Sequence, residues 1–521
     1  MTRLKKSLVW IGPLLIVAIG ISLLFIDNYK EVVEEPSEGW SRDLLVGTTA
    51  NSKEMSISTT EDGHYSVSFI TNDGVRQNVY DQSLELIEEN TYSIPVDKFT
   101  EVFLTDKAFL FSDYYAVYEG ETEDKISDIK KFYPLKEHAF FRKENQIYEI
   151  QNDSLEPRDV LTIGDDDTQV LMQESENGVT LLTNDVSPAG NQLTFYSVSD
   201  GQSTQLGTAD FSLNGVEEVR DINYTLDEES YSLIVQTLQK QSMSGKMMNH
   251  YYYAEGGFDE ALTLNKIELQ DPAGSGTLDE ITDVEMKRTE NGTEILFKAF
   301  GSTQSMFQDT HQFNIYEAGL AKGETPSVKR LSNTPKSSFE PAWLSSDKVI
   351  WLDYGSDGEN RILASSGSPE IIEKADHMTK QTFLQALGKT LGMLSSGLFA
   401  LVVSLIWFIW PLLFLCVVMF TNSKAMDNDR SWVFYVGAFI YLAASLIFQD
   451  FMFSSQGMAQ APDYLMFPGS SFIYLIGFAL LSFAILQTGS AMKKWSPAIE
   501  LTYFIGIHIA FITIFFGPYL L

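Results

Sequence analysis

The chain has 521 residues, with 36 Lys and Arg against 70 Asp and Glu and a formal net charge of −34 at pH 7. A surface this acidic repels phosphate backbones and gains nothing from counterion release, which excludes nucleic acid as a partner. The single cysteine, Cys416, lies in an apolar run, so the acidic part of the chain forms no internal disulfide and depends on packing.

Charge is spread unevenly. Residues 27–378 hold 27 Lys and Arg against 65 Asp and Glu, whereas residues 379–521 hold six and five. A water-soluble middle and a membrane-embedded end are expected, and the acidity reads as solubility before it reads as a cation site. A large exported domain without cysteine fits a bacterial envelope, Gram-positive in particular.

Residues 1–6 carry Arg3, Lys5 and Lys6 and read as a cytoplasmic N-terminus. Residues 7–26 follow without a charge, long enough to cross the hydrocarbon core as a helix. After it comes Asp27-Asn28-Tyr29-Lys30, neither a small-x-small cleavage site nor a lipoprotein cysteine, so the segment reads as an uncleaved signal anchor. Residues 27–40 form an acidic linker.

Over 41–376 a rhythm of short strands begins. Seven turn-then-apolar units recur: Glu61-Asp62-Gly63 before Tyr65–Phe69, Thr105-Asp106 before Ala108–Phe111, Lys136-Glu137 before Ala139–Phe141, Glu176-Asn177-Gly178 before Val179–Leu182, Asp227-Glu228 before Tyr231–Val235, Glu290-Asn291-Gly292 before Glu294–Phe297, and Asp347 before Val349–Trp351. Asn-Gly and Asp-Gly supply the positive φ that tight hairpins need. A third strand closing on tyrosine follows several of them, at Tyr80, Tyr148, Tyr196 and Tyr316. This spacing predicts an all-β propeller of about seven blades; a β-sandwich is the rival. Ser41–Gly47 is placed to close the ring by joining the last blade, which would make the first and second membrane spans neighbours.

The clearest unit is Phe339–Asp376. Phe339-Glu340-Pro341-Ala342-Trp343 reads as one strand, Ser345-Ser346-Asp347 as a turn and Val349–Leu352 as a second strand. Ser356-Asp357-Gly358 turns into Arg361–Ala364, and Glu370-Ile371-Ile372 reads as a fourth strand. The order Pro-Ala-Trp, Ser-x-Asp, apolar strand resembles the TolB-type propeller repeat, clearly in this blade and by rhythm elsewhere. The resemblance implies a fold and no activity.

Residues 377–393 form an amphipathic juxtamembrane segment with Phe383, Leu384, Leu387 and Leu391 at helical spacing. Four more spans are expected at 394–420, 432–449, 468–490 and 497–518. Lys424 and Arg430, and Lys493 and Lys494, fall in the loops predicted inside, and the loop 450–471 has Asp450 and Asp463 but no Lys or Arg. The expected topology is five spans in the cell membrane, with the N-terminus cytoplasmic and the propeller and C-terminus outside.

Few residues are candidates for chemistry. His508, near mid-bilayer, is the one functional candidate, weighed against a neutral imidazole bonded to a neighbouring helix. Glu500 follows Ser496-Pro497 and suits a helix start; Pro411 predicts a kink after Trp407 and Trp410. Met243, Met247, Met248 and His250, and the methionines Met452, Met458 and Met466, lack the repeated spacing of a copper site. Asp165-Asp166-Asp167 lacks the alternation of a calcium loop and reads as a solvated turn. His64, His138, His250 and His311 have no metal-ligand spacing, and no Gly-x-Ser-x-Gly, Walker or zincin motif occurs. No catalytic, cofactor-binding or metal residue is therefore assigned. The expected role is binding or sensing a protein or envelope component through the propeller loops; the alternative is a transporter or envelope enzyme with its site in the propeller channel or near His508.

Overall fold

The computed structural model describes the chain except residues 1, 51–52, 54, 61, 176–177, 189, 214, 228, 241–246, 259, 290–291, 303–310, 322, 335, 356–357, 455–460, 491–494 and 521. Lys493, Lys494, Met243, Met458 and the turn residues Glu61, Glu176, Asn177, Glu228, Glu290, Asn291, Ser356 and Asp357 thus lie outside the described residues. The chain divides into two compact units, Glu34–His377 and Met1–Val33 with Met378–Leu521.

The first unit is a seven-bladed β-propeller. Its strands form seven four-stranded antiparallel sheets: blade 1 spans 56–92, blade 2 101–128, blade 3 131–162, blade 4 169–211, blade 5 217–267, blade 6 279–330, and blade 7 338–366 with 44–49. Each of the seven apolar runs read from the sequence is the second strand of its blade, and the tyrosine-closing runs are third strands. The hairpin turns need glycine where the backbone crowds. Gly74 has φ +144°, and a Cβ there would meet the Tyr92 carbonyl.

The second strands are buried along most of their length because neighbouring blades cover both faces of each sheet, so the core is divided into seven pieces, one per blade interface. Phe103, Leu110 and Val117 of blade 2 meet Phe132, Ala139 and Phe141 of blade 3, and Leu296 and Ile315 of blade 6 meet Trp343, Trp351 and Leu363 of blade 7. The last interface, blade 7 on blade 1, packs Phe339, Ile350 and Leu352 against Tyr65, Val67 and Phe69. A sandwich has one core between two sheets; here a core at every interface closes a ring. Each fully buried leucine or phenylalanine contributes about 1.5–3 kcal/mol.

Closure comes from Leu44–Thr49, which pairs antiparallel with Asn360–Ser366 as the outer strand of blade 7. The closing strand was therefore legible in Ser41–Gly47, shifted a few residues. The fourth strand expected at Glu370-Ile371-Ile372 does not form: Pro369–Asp376 is helix α2. The outer position is already filled by the N-terminal strand, and Ser368-Pro369 is a helix start, with Ile371 and Ala375 buried on one face.

The second unit is helical. Helix α1 (Thr2–Val32) continues past Ile26 into the segment read as a linker. Then come α3 (Lys380–Gly397), α4 (Phe399–Thr421), the short α5 (Ser423–Asp427), α6 (Trp432–Ile447), α7 (Ser470–Ser490) and α8 (Pro497–Phe516). Val9–Val32, Thr382–Thr421, Ser470–Thr488 and Pro497–Tyr519 are long and apolar enough to cross a membrane, and Trp432–Ile447 is a shorter apolar helix.

The first span is a neighbour of the second, Thr382–Thr421, through the α3 part of it and not through α4. Helix α1 packs on α3, α7 and α8, whereas α4, the second predicted span, packs on α6 and α8. The physical reason is the chain's route through α3, whose Thr390 receives a hydrogen bond from Asn28 and whose Lys389 pairs with Glu31. The apolar loop 450–471 also finds its place here, with Met452 and Leu465 buried in the helical core.

Candidate functional site

In a propeller the first strand of each blade faces the central channel, and here the first strands of adjacent blades lie side by side, as with Glu217–Leu226, Asp279–Thr289 and Ser338–Ser345. Three carboxylates come together on two of them: Asp283 and Glu285 on blade 6, Glu340 on blade 7. Both strands are irregular, with register shifts between Asp279 and Thr282, Thr282 and Glu285, and Phe339 and Ala342. Asp283 (φ 53°) and Glu340 (φ 49°) lie in the left-handed region, conformations that cost free energy and re-aim side chains.

The carboxylates are tied into the fold. Asp283 accepts Lys298 Nζ at 2.8 Å and the Glu340 N–H at 3.2 Å, and Glu285 accepts the Trp343 N–H at 3.3 Å. Burial pushes Glu340 up to about 7, with Asp283 and Glu285 adding to the shift and Lys298 opposing it. Burial also raises Glu285, opposed first by Lys136 from blade 3 and then by the Trp343 N–H and Lys287. Gln173 of blade 4 donates to the Met286 carbonyl, so blades 3, 4, 6 and 7 all reach this region. Such a cluster can take up and release a proton near neutral pH. Among the described residues no group of three or more His, Cys, Asp or Glu is arranged to hold a metal ion.

His508 is fully buried on α8. Its Nδ1 lies 2.7 Å from the Tyr441 hydroxyl of α6 and its Nε2 2.9 Å from the Leu475 carbonyl of α7. Glu500 stands in the first turn of α8, and Pro411 lies within an unbroken α4. Trp407 is buried and donates to the Phe448 carbonyl at 3.1 Å, while Trp410 stacks on Phe448.

The other candidates stay apart. Asp165-Asp166-Asp167 is an exposed turn whose Asp165 and Asp166 carbonyls accept Arg142, with Lys130 paired to the Asp166 carboxylate at 2.6 Å. His138 bonds Glu174 at 2.8 Å across blades 3 and 4, His250 bonds Gln239, and His311 stacks on Phe300; with His64 these lie in four different blades. Met247 and Met248 are exposed at the start of a strand of blade 5. The Asp283, Glu285 and Glu340 cluster was missed because its members are far apart in sequence and sit inside strands. The one local signal was a glutamate, Glu340, in an otherwise apolar strand.

No family model matches the chain, and no curated protein matches it. Among solved structures it is similar to the WD40 domain of Pan2 from Neurospora crassa (9% identity, TM-score 0.32, covering 63% of this chain and 96% of that one). It is also similar to TolB from Acinetobacter baumannii (10%, TM-score 0.26, covering 58% and 79%). A third is the GH93 α-L-arabinofuranosidase of Fusarium graminearum (10%, TM-score 0.30, covering 63% and 98%). The propeller assignment rests on this chain's own strand pairing.

Proposed function

We propose that the chain is a multi-pass cell-membrane protein that holds an acidic propeller (41–376) outside the cell to bind or sense a protein or envelope component. The signal anchor 7–26 precedes it and the segment 377–393 leads to the later spans. The helical unit supports membrane placement because it turns large apolar side chains outward, Phe420 and Phe439 among them, and buries Ser404, Ser445 and Ser482.

The observation that carries the binding role is how the ring is strung. The strand Leu44–Thr49 begins where Asn360–Ser366 ends: Ser41 donates to the Ser366 carbonyl at 2.8 Å, and Gly367 to the Asp347 carbonyl of the first turn of blade 7 at 2.8 Å. The closing strand thus starts, and the chain leaves blade 7, on one face of the ring, while the entering residues Pro36 and Ser37 run along the outer strand of blade 6, where both bond Arg330. The opposite face, made of the loops between blades and between second and third strands, is left to other molecules, which is the arrangement of a display module.

The orientation is tested by labelling Ser346→Cys and Asn428→Cys, each in a Cys416→Ser background, with a membrane-impermeant thiol reagent on intact cells. Labelling of position 346 alone is expected; equal labelling of both overturns the topology. A second reading, an envelope enzyme with its site in the channel, is favoured by the meeting of Asp283, Glu285 and Glu340. If it holds, Glu340→Gln abolishes an activity while leaving the protein folded.

A further inference from the structure

The free face of the ring carries an unusual surface. Among the described residues of the propeller, the large apolar side chains left exposed in loops all lie on this face, including Val216, Met247 and Tyr354. Three aromatic rings make a continuous patch at blade 2. Phe99, in the connection from blade 1, and Tyr114, between the second and third strands, lie with ring centroids 4.8 Å apart; Tyr114 and Tyr115 lie 4.9 Å apart, edge to face. They are 40%, 59% and 71% exposed.

Both loops are held rigidly. The Asp97 carboxylate accepts the Phe99 N–H at 2.7 Å and the Thr100 hydroxyl at 3.2 Å. The Asp113 carboxylate accepts the N–H groups of Tyr115 and Ala116, both at 2.7 Å, and the Tyr118 hydroxyl at 3.0 Å. Exposed tyrosines on pre-ordered turns lose little entropy when covered, which is what binding anchors need.

The patch has a charged neighbour. The Tyr115 carbonyl accepts the Ile129 N–H at 2.8 Å, and the next residue, Lys130, reaches the Asp165-Asp166-Asp167 turn through Asp166. Lys130 and Arg142 answer Asp166, but no lysine or arginine pairs with the Asp165 or Asp167 carboxylate among the described residues. The aromatic patch and the acidic turn thus lie on the same face of the ring, linked through Ile129 and Lys130, a combination suited to a segment that carries a cation next to an apolar group.

We infer that Phe99, Tyr114 and Tyr115, with Asp165 and Asp167, form a docking surface for a polypeptide segment that carries Lys or Arg beside aromatic or aliphatic side chains. This rests on the binding reading above and names its surface and the chemistry of its partner. Lys98, 4.6 Å over the Phe99 ring, covers one side of that ring and leaves the tyrosine faces open.

The test uses the full chain in lipid nanodiscs, where both sides are accessible, so a wrong membrane orientation does not affect it. A phage-displayed random-peptide library is panned against the protein, with the Phe99→Ala/Tyr114→Ala/Tyr115→Ala variant as a parallel target and protease resistance as the folding control. Selected peptides are expected to combine basic and apolar residues and to bind the triple variant at least about tenfold more weakly. Asp165→Asn/Asp167→Asn, which leaves the aromatic rings in place, should weaken them severalfold and reduce the sensitivity of binding to salt. Peptides without basic residues, binding indifferent to the triple variant, or no enrichment over that variant would overturn the proposal. So would a chitooligosaccharide that binds through the tyrosines and ignores the aspartates, since that is the signature of a glycan surface.

Discussion

The propeller and the helical unit obey the same hydrophobic rule in opposite directions. In the propeller Phe103, Phe140, Phe195, Phe297 and Trp351 are fully buried and the outer strands show glutamate and lysine; in the helical unit Leu14, Phe420, Phe439 and Ile447 face outward. Polar groups inside the helices are few and several bond locally, although the buried Ser482 and Thr513 hydroxyls have no partner among the described residues. Ser404 bonds the Ala400 carbonyl at 2.7 Å and Thr390 the Ala386 carbonyl at 2.7 Å, each one turn back on its own helix. This is the difference expected if the helical unit meets a hydrocarbon solvent, as proposed above. Water rewards apolar burial, whereas a hydrocarbon environment asks that backbone and hydroxyl groups find partners inside.

The largest effect should come from opening a blade interface. Trp351, fully buried between blades 6 and 7, has Leu296, Ile315, Trp343 and Leu363 in the same core. Trp351→Ala is expected to cost about 3–5 kcal/mol, read as a lower midpoint of denaturant unfolding by far-UV circular dichroism. A loss under about 1 kcal/mol would mean that the interface does not pack as described.

A matched pair of charges separates the two exteriors. Phe439→Lys on α6 places a charge on an outward apolar face and is expected to cost about 2.5–3.5 kcal/mol of membrane insertion. Leu86→Lys, at an exposed site on the outer strand of blade 1, should change stability by no more than about 0.5 kcal/mol. Glycosylation-site reporters measure the first and unfolding the second; equal tolerance at both positions would remove the membrane reading of α6.

A pH effect is expected in the propeller. Glu340 titrates at about 7 when folded, against an ordinary value of 4.5. Between these values the folded state binds the extra proton, so stability falls as pH rises through this window and stays lower above it, by at most about 1.4 kcal/mol for each unit of separation. Glu340→Gln should flatten that slope and stabilise the protein above pH 7. An unchanged pH profile in the variant would show that Glu340 is ionised throughout, held by Lys298.

Much of the propeller was legible because its signals are local. A polar turn before a β-branched or aromatic run marks a hairpin wherever it stands, most sharply where it is Asp-Gly or Asn-Gly as in three of the seven units, and the seven marks gave seven second strands. Partnership between distant residues was not legible. Ile371 could pack as strand or helix, and only the arrival of Leu44–Thr49 at the edge of blade 7 decides against the strand. The carboxylate cluster is hidden for a similar reason, because Asp283 and Glu340 meet through bulges that no residue pattern announces. In the helical unit, composition located the apolar segments, but the neighbours of α1 depend on Asn28, Thr390, Glu31 and Lys389 finding one another.

The smallest effect concerns the one histidine buried among the helices. The Leu475 carbonyl can only accept, so His508 Nε2 carries the proton and Nδ1 accepts from the Tyr441 hydroxyl. This chain of donors ends on a backbone carbonyl, and a conduction path requires further sites to continue it. The imidazole is thus expected to join α6, α7 and α8, with a coupling to Tyr441 of about 0.6 kcal/mol and at most about 1.7 kcal/mol. The measurement is a double-mutant cycle of His508→Leu and Tyr441→Phe, read by unfolding in detergent micelles. Each single change strands a polar partner, and the double change removes both ends of the bond, so the double variant should be more stable than the two single losses added together. The same variants in liposomes, loaded with a pH-sensitive dye, decide between a packing node and a relay. Proton leak should be the same with and without His508; a flux that His508→Leu abolishes would move this histidine from structure to transport and restore the transporter alternative for the helical unit.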